Sequence, residues 1–252
     1  MLDLVLLKMA RNWAKALLQP LPLIGILKLP QYISDWLEYS RKAGVTPKIM
    51  DTQPCLTDRT ASTPFDPHYF FQGAWLSRKL AQRMPTQHVD VSSSVMTIAA
   101  LSGFVDTVFV DYRPLQVTIP GLDCRVGDIT KLPFEDGSVE SLSCLHVIEH
   151  IGLGRYGDTI NPDGSRKGLK ELSRVLAKGG HLYISVPVGR ERICFNAHRV
   201  FDPRTIVSFM TFLDLSEFSL VDDRGLFRQN QPIEEGAAQE YGCGLFIFQK
   251  PE

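Results

Sequence analysis

An α/β chain built on a mostly parallel, doubly wound sheet is the fold class the sequence predicts, and three observations carry it. From His88 onward, short apolar runs alternate with segments of helical periodicity. The early runs end in acids, at Asp90, Asp111 and Asp128. Ligands in such a sheet gather at the carboxyl ends of the strands, so these residues converge on one rim. Composition agrees: 252 residues, 44% hydrophobic and 22% charged, suit one large domain with an extension.

The elements follow in order. "MLDLVLLKMARNWAKALL" reads as an amphipathic helix, with Leu2, Leu6, Met9, Trp13 and Leu17 opposite Lys8, Arg11, Asn12, Lys15 and Gln19. Its basic face and its tryptophan suit peripheral membrane contact through residues 1–19, while docking on its own domain is the simpler reading. Asp3 and the interrupting cations argue against a signal peptide or a membrane span. Pro20, Pro22 and Pro30 predict a break, and a short helix follows around "QYISDWLEYSRK". Residues 46–67, rich in Thr, Pro and Asp, predict an extended loop. The expected organisation is an extension over 1–67 and a domain over 68–252, opened by the helix "HYFFQGAWLSRKLAQRM".

Five strands are predicted next: "HVDV", "TVFVDY", "LDCRVGD", "SVESLSCLH" and "HLYISVPV". The helix "TIAALSGF" follows the first, and "SRKGLKELSRVLAKGG" is an amphipathic helix that stops at Gly179-Gly180. Late strands are expected at "FSLVDD" and "GLFIFQK". A formal net charge of -1 offers no global case for nucleic acid. Five scattered cysteines without a C-x-x-C pair read as reduced thiols of a cytoplasmic protein.

One stretch invites a metal reading. "HVIEH" holds His146, Glu149 and His150 in the H-x-x-E-H pattern of inverted zinc peptidases. That site needs a stable helix, and here the motif leaves a strand and meets Gly152 and Gly154 at once. Asp111 stands about twenty residues beyond the Asp90 turn, the spacing of a ribose-binding carboxylate.

In order, "HVDVSSS", "VFVDYRPL", "VGDITKLPFEDGSVESLSCLHVIEHIGLGRYGD" and "LAKGGHLYISVPVG" resemble the motifs of class I S-adenosylmethionine-dependent methyltransferases. More narrowly, "HYFFQGAW", "HVIEHIGLGRYGD" and "FNAHRVF" resemble a family of unknown function within that superfamily. The resemblance implies a Rossmann-like, seven-stranded sheet with a final antiparallel strand. It implies S-adenosylmethionine as cofactor, with Asp111 on the ribose, Asp128 and Ile129 on the adenine, and Asp90 and Ser92 beside the methionine. Where that superfamily carries D-x-G-x-G-x-G, this chain reads Asp90-Val91-Ser92-Ser93-Ser94-Val95-Met96, and a serine Cβ resists the positive φ of glycine. Either the turn adopts a compatible conformation, or cofactor binding is weakened and the chain is a non-catalytic binding or scaffold protein.

Certain members bind a divalent ion through E-x-x-E-H at this place. The matching set would be His146, Glu149, His150 and His198, holding magnesium, manganese or zinc. Without a metal, His150 is the first choice for removing a hydroxyl proton and His198 the second, with Glu149 assisting. Arg155, Tyr156, Asn196 and Arg199 are the expected acceptor contacts. The resemblance to surface-glycan proteins makes a sugar hydroxyl the expected acceptor and glycan biosynthesis the expected setting.

Overall fold

The computed structural model describes residues 23–52, 54–56, 58–113 and 115–252. The amphipathic helix expected over residues 2–19 lies outside them. Two compact units divide the chain, Met1–Phe65 and Asp66–Glu252. In the first, helix α1 spans Leu23–Ala43 and exposes Leu27, Ile33 and Leu37. The break expected at Pro30 does not occur, because a proline inside a helix removes one backbone bond and the flanking turns keep theirs. Among the described residues no helix is long and apolar enough to cross a membrane.

The second unit contains the sheet. Its first helix, α2 (Pro67–Arg83), starts sharply because the Asp66 carboxylate accepts from the His68 and Tyr69 N–H groups and Pro67 sits at the first position. Then follow β1 (Gln87–Val91), α3 (Val95–Leu101), β2 (Asp106–Asp111), β3 (Leu122–Val126), β4 (Val139–Leu145), α4 (Gly164–Val175) and β5 (Leu176–Val188). A hairpin of β6 (Arg192–Cys194) and β7 (His198–Val200) leads to α5 (Pro203–Phe209). The chain closes with β8 (Asp214–Val221), β9 (Phe227–Arg228), α6 (Ile233–Ala237) and β10 (Gly242–Gln249).

The strands order as β3-β2-β1-β4-β5-β10-β8-β9. The first five are mutually parallel, and β10 enters antiparallel between β5 and β8. Seven of these match the expected sheet; the eighth, β9, is a two-residue edge strand. Side chains alternate between the two faces. Val108, Val110, Leu142, Ile184 and Phe246 pack under Leu169, Leu172 and Val175 of α4 on one face. Phe109, Leu145, Tyr183 and Leu245 meet Trp75, Leu76 and Leu80 of α2 and Ile98 and Leu101 of α3 on the other.

Two elements differ from expectation. Helix α4 ends at Val175, before Gly179-Gly180, and the chain is already extended at Leu176. Tertiary donors take the last carbonyls: Gly137 N–H on Arg174, and Lys250 Nζ on Ser173 and Leu176. The segment after β5, where no strand is expected, is the β6–β7 hairpin.

Candidate active site

The turn after β1 carries the serines. Ser92 adopts φ 59, the left-handed conformation a glycine would take in this turn. Its N–H donates to the Val110 carbonyl at 2.9 Å, tying the turn to β2. Asp90 is fully buried, and its carboxylate accepts from Ser93 N–H (3.0 Å), Ser93 Oγ (2.7 Å) and Ser143 Oγ. Burial pushes its pKa up to about 6, against the pull of those hydrogen bonds. Asp90 therefore shapes the turn from beneath and does not line the cleft, a correction to its expected contact with the methionine portion of a cofactor. Below it His88 is buried with Nδ1 on Ser141 Oγ and Nε2 on Ser143 Oγ, both at 2.8 Å.

Two adjoining cavities open at the carboxyl ends of the strands. One, of about 360 Å³, is lined by Tyr69, the serine turn, Asp111, Arg113, His146, His150 and Tyr156, among others. The second, of about 270 Å³, is lined by Gly127, Asp128, Ile129, Thr130, Gly152 and Asn161, among others. Ser92, Tyr112, Ile151 and Asp158 belong to both walls. Of the five expected cofactor residues, Ser92, Asp111, Asp128 and Ile129 are thus brought to one bipartite cleft. Asp111 and Asp128 sit at the ends of neighbouring strands and are pre-oriented by the N–H groups of Arg113 (2.6 Å) and Thr130 (2.7 Å).

The exit of β4 is a single 3-10 turn, Ile148–His150, too short for the helix a peptidase zinc site needs. His146 takes φ 54 and hands its Nδ1 to Glu149 Oε1 at 2.7 Å, with the two side chains 6% and 1% exposed. Burial opposes a charge on His146, yet Cys243 and Glu149 outweigh it and push the pKa up to about 10. Among the described residues Glu149 Oε2 has no hydrogen-bond partner, and His146 Nε2 faces only the Cys243 thiol. His150 is held differently: Nδ1 lies 2.6 Å from the Ala197 carbonyl, which fixes the proton there and leaves Nε2 as the acceptor. Burial lowers its pKa, so it is neutral and basic near pH 7.

The loop beyond this turn is folded by Asp158, which accepts from the N–H groups of Gly152 (2.7 Å), Gly154 (3.3 Å) and Tyr156 (3.3 Å). Gly152 is required: its φ is 81, and a Cβ there would lie 2.0 Å from the Asn161 carbonyl oxygen. Tyr156 reaches the cavity with the guanidinium groups of Arg113 and Arg155 over its ring, 4.8 and 5.0 Å from the centroid.

Three expected acceptor contacts lie elsewhere. Arg155 donates to the Ala197 carbonyl (2.9 Å) and ties the loop to the hairpin. Arg199 is 7% exposed and donates to the carbonyls of Ile151 (2.8 Å), Glu149 and Pro162, so it braces the turn. Asn196 is exposed at the hairpin tip with φ 63. His198 packs against Tyr241, ring centroids 5.2 Å apart, and is absent from the cavity wall. The expected metal set of His146, Glu149, His150 and His198 is therefore not assembled: its ligand atoms do not converge, and His198 packs against the Tyr241 ring. Among the described residues the metal-ligating atoms that converge are those of His68, His146 and Cys243. Sequence reading missed His68, Tyr69, Tyr112, Arg113, Asp158 and Cys243. His68 and Tyr69 were within reach, since they open the "HYFFQGAW" motif, whereas nothing local marks Cys243.

Comparison with known proteins fits this architecture. The family described as "Methyltransferase domain" matches residues 74–184, and "Caenorhabditis protein of unknown function, DUF268" matches residues 135–236. No curated protein matches the sequence. A chain of the complex between the Haloferax volcanii Trm112 methyltransferase activator and a protein described as a methyltransferase is similar at 21% identity and a TM-score of 0.50, covering 74% of this chain and 91% of that one. The N-methyltransferase NodS from Bradyrhizobium japonicum is 15% identical at 0.50, covering 73% and 97%. The [4+2]-cyclase SpnF is 14% identical at 0.51, covering 70% and 80%. At these identities the solved structures speak for the fold alone. Together with the strand order and the methyltransferase-domain match, they show that this chain has the Rossmann-like class I methyltransferase fold.

Proposed function

We propose that this protein is an S-adenosylmethionine-dependent methyltransferase acting on a hydroxyl oxygen. The observation that carries the reading is the bipartite cleft, with Asp111 in one half and Asp128 and Ile129 in the other, joined at the left-handed Ser92. Its fit to the cofactor rests on chemistry: a carboxylate suits a ribose diol, and an acid beside an isoleucine suits the edge and face of an adenine. The cofactor supplies, when bound, a methyl group already activated on a sulfonium.

The protein's remaining tasks are alignment and proton removal. His150 is the base: the Ala197 carbonyl holds its Nδ1 proton, and Nε2 accepts the hydroxyl proton as the oxygen attacks. Tyr156, with Arg113 and Arg155 over its ring, offers its hydroxyl and the Arg113 guanidinium to an acceptor's oxygens at the cavity wall. A sugar hydroxyl, in glycan biosynthesis, is the acceptor class we infer; its support is the resemblance to surface-glycan proteins and this hydrogen-bonding wall.

Calorimetric titration with S-adenosylmethionine and S-adenosylhomocysteine tests the reading, repeated with Asp111→Ala. Binding by the native chain and a loss of about 10- to 100-fold in the variant are expected from removing a charge-assisted contact. No heat in folded protein, or an unaffected variant, overturns it. The serine turn favours a second reading, a non-catalytic binding or scaffold protein. Cofactor binding without transfer of labelled methyl to any sugar-hydroxyl acceptor supports that alternative.

A further inference from the structure

Three soft or borderline donors from distant parts of the chain meet behind the cavity wall. His68 lies in the first turn of α2, His146 at the exit of β4 and Cys243 in β10; one ligand atom of each lies within 4.8 Å of the other two. The antiparallel entry of β10 makes this possible, since its first residues start at the rim where the parallel strands end. We propose that His68, His146 and Cys243 form a site for a transition-metal ion of the zinc class.

The donor chemistry selects the ion. Two imidazoles and a thiolate match zinc and disfavour magnesium or calcium, which take oxygen ligands. The second shell is in place: Glu149 Oε1 takes His146 Nδ1 at 2.7 Å, the carboxylate–histidine pairing that turns the other nitrogen toward a metal. That other nitrogen, Nε2, is buried and, among the described residues, faces only the Cys243 thiol. Cys243 is fully buried and in no disulfide, and its thiol makes only a long 3.9 Å hydrogen bond to the Gly244 carbonyl besides its contact with His146. Zinc bonds of about 2.0–2.3 Å set tetrahedral ligands roughly 3.3–3.8 Å apart, so closing the site takes side-chain rotation of about an ångström.

His68 is stacked between His146 (5.4 Å) and Tyr241 (5.3 Å), and Tyr69 stacks on His146 at 5.4 Å. An ion here fastens the start of α2 to β4 and β10, and so fixes the cavity wall formed by Tyr69 and His146. Binding releases to solvent the protons held by His146 Nε2 and the Cys243 thiol, and three protein donors leave one tetrahedral position for an exogenous ligand. The site is independent of the reaction proposed above, because its occupancy is read without any assay of transfer.

Metal analysis of the full chain, with zinc and cobalt titrated into chelator-treated protein, tests the site. One ion per chain is expected, and cobalt should give a thiolate-to-metal charge-transfer band. Cys243→Ser removes the band, His68→Ala weakens binding roughly tenfold or more, and Glu149→Gln weakens it by about 10- to 100-fold. His198→Ala leaves it unchanged. Should Cys243→Ser fail to fold, His68→Ala, at the half-buried start of a helix, carries the test. Folded native protein that takes up neither ion, a cobalt complex without the thiolate band, or binding indifferent to His68→Ala overturns the proposal.

Discussion

The turns after β1 and β4 sit at the same rim and both bury polar groups, yet they satisfy them differently. Beneath the serine turn a chain of bonds runs from Ser141 through His88, Ser143, Asp90 and Ser93 to the Leu145 N–H, and no buried side-chain atom along it lacks a partner. After β4, among the described residues, Glu149 Oε2 is left without one and His146 Nε2 faces only the Cys243 thiol. A closed network of this kind specifies a backbone conformation, here the left-handed Ser92. An open one retains donors and acceptors for something that binds. The first turn is scaffold and the second is chemistry.

The largest effect expected from that division belongs to His150, beside the second turn. His150→Gln should lower kcat for methyl transfer by about 10²–10⁴, the usual worth of a general base, with little change in melting temperature or cofactor affinity. A glutamine amide can still donate to the Ala197 carbonyl, so the hairpin contact survives. His198→Gln should leave kcat within a few-fold of native, since His198 packs on Tyr241 outside the cavity wall. Equal losses in both variants would move the base and break the contrast.

Short, nearly continuous apolar runs made the parallel strands legible, because both faces of the sheet are buried under helices. Asp111 and Asp128 were legible too, since strand ends dictate where polar residues converge. What sequence could not convey was direction and distance. Asp90 follows the same strand-end rule, but its side chain shares the His88 and Ser143 face and turns under the sheet rim. Arg199 looked like a substrate contact because arginines near a site usually are; three backbone carbonyls claim it instead. Cys243 reaches His146 only through the antiparallel pairing of β10 with β5, a long-range contact without a local signature.

A smaller effect, in stability alone, separates the members of the first network. Burial lifts Asp90 from 3.8 to about 6, so between those values the folded chain keeps a proton the unfolded chain releases, and stability falls as pH rises. His88 has the opposite sign: burial lowers it from 6.5 to about 3, the unfolded chain takes up a proton the folded chain refuses, and stability is lost as pH falls. Between about pH 4 and 6 the two oppose each other. Asp90→Asn leaves His88 alone, so stability should climb with pH by up to ~1.4 kcal/mol per unit more steeply than in the native chain. Urea midpoints across that window measure it, and parallel profiles for native and variant would show that the pair is not coupled to folding in this way.

The smallest effect tests whether serine at position 92 impedes anything. Ser92→Gly relieves a left-handed residue, worth about 1–2 kcal/mol, and gives back about 0.5–1 kcal/mol through the freedom glycine gains in the unfolded chain. It also loses a weak 3.3 Å contact from Oγ to the Val110 carbonyl, while the N–H bond to that carbonyl remains. The balance predicts a rise in melting temperature of about 1–3 °C. Because the backbone already holds the glycine conformation, cofactor affinity should change less than about threefold, well under the tenfold that 1.4 kcal/mol represents. A gain of tenfold or more would mean that the serine Cβ obstructs the cofactor, and the first turn would then be a weakened binding element in place of a scaffold.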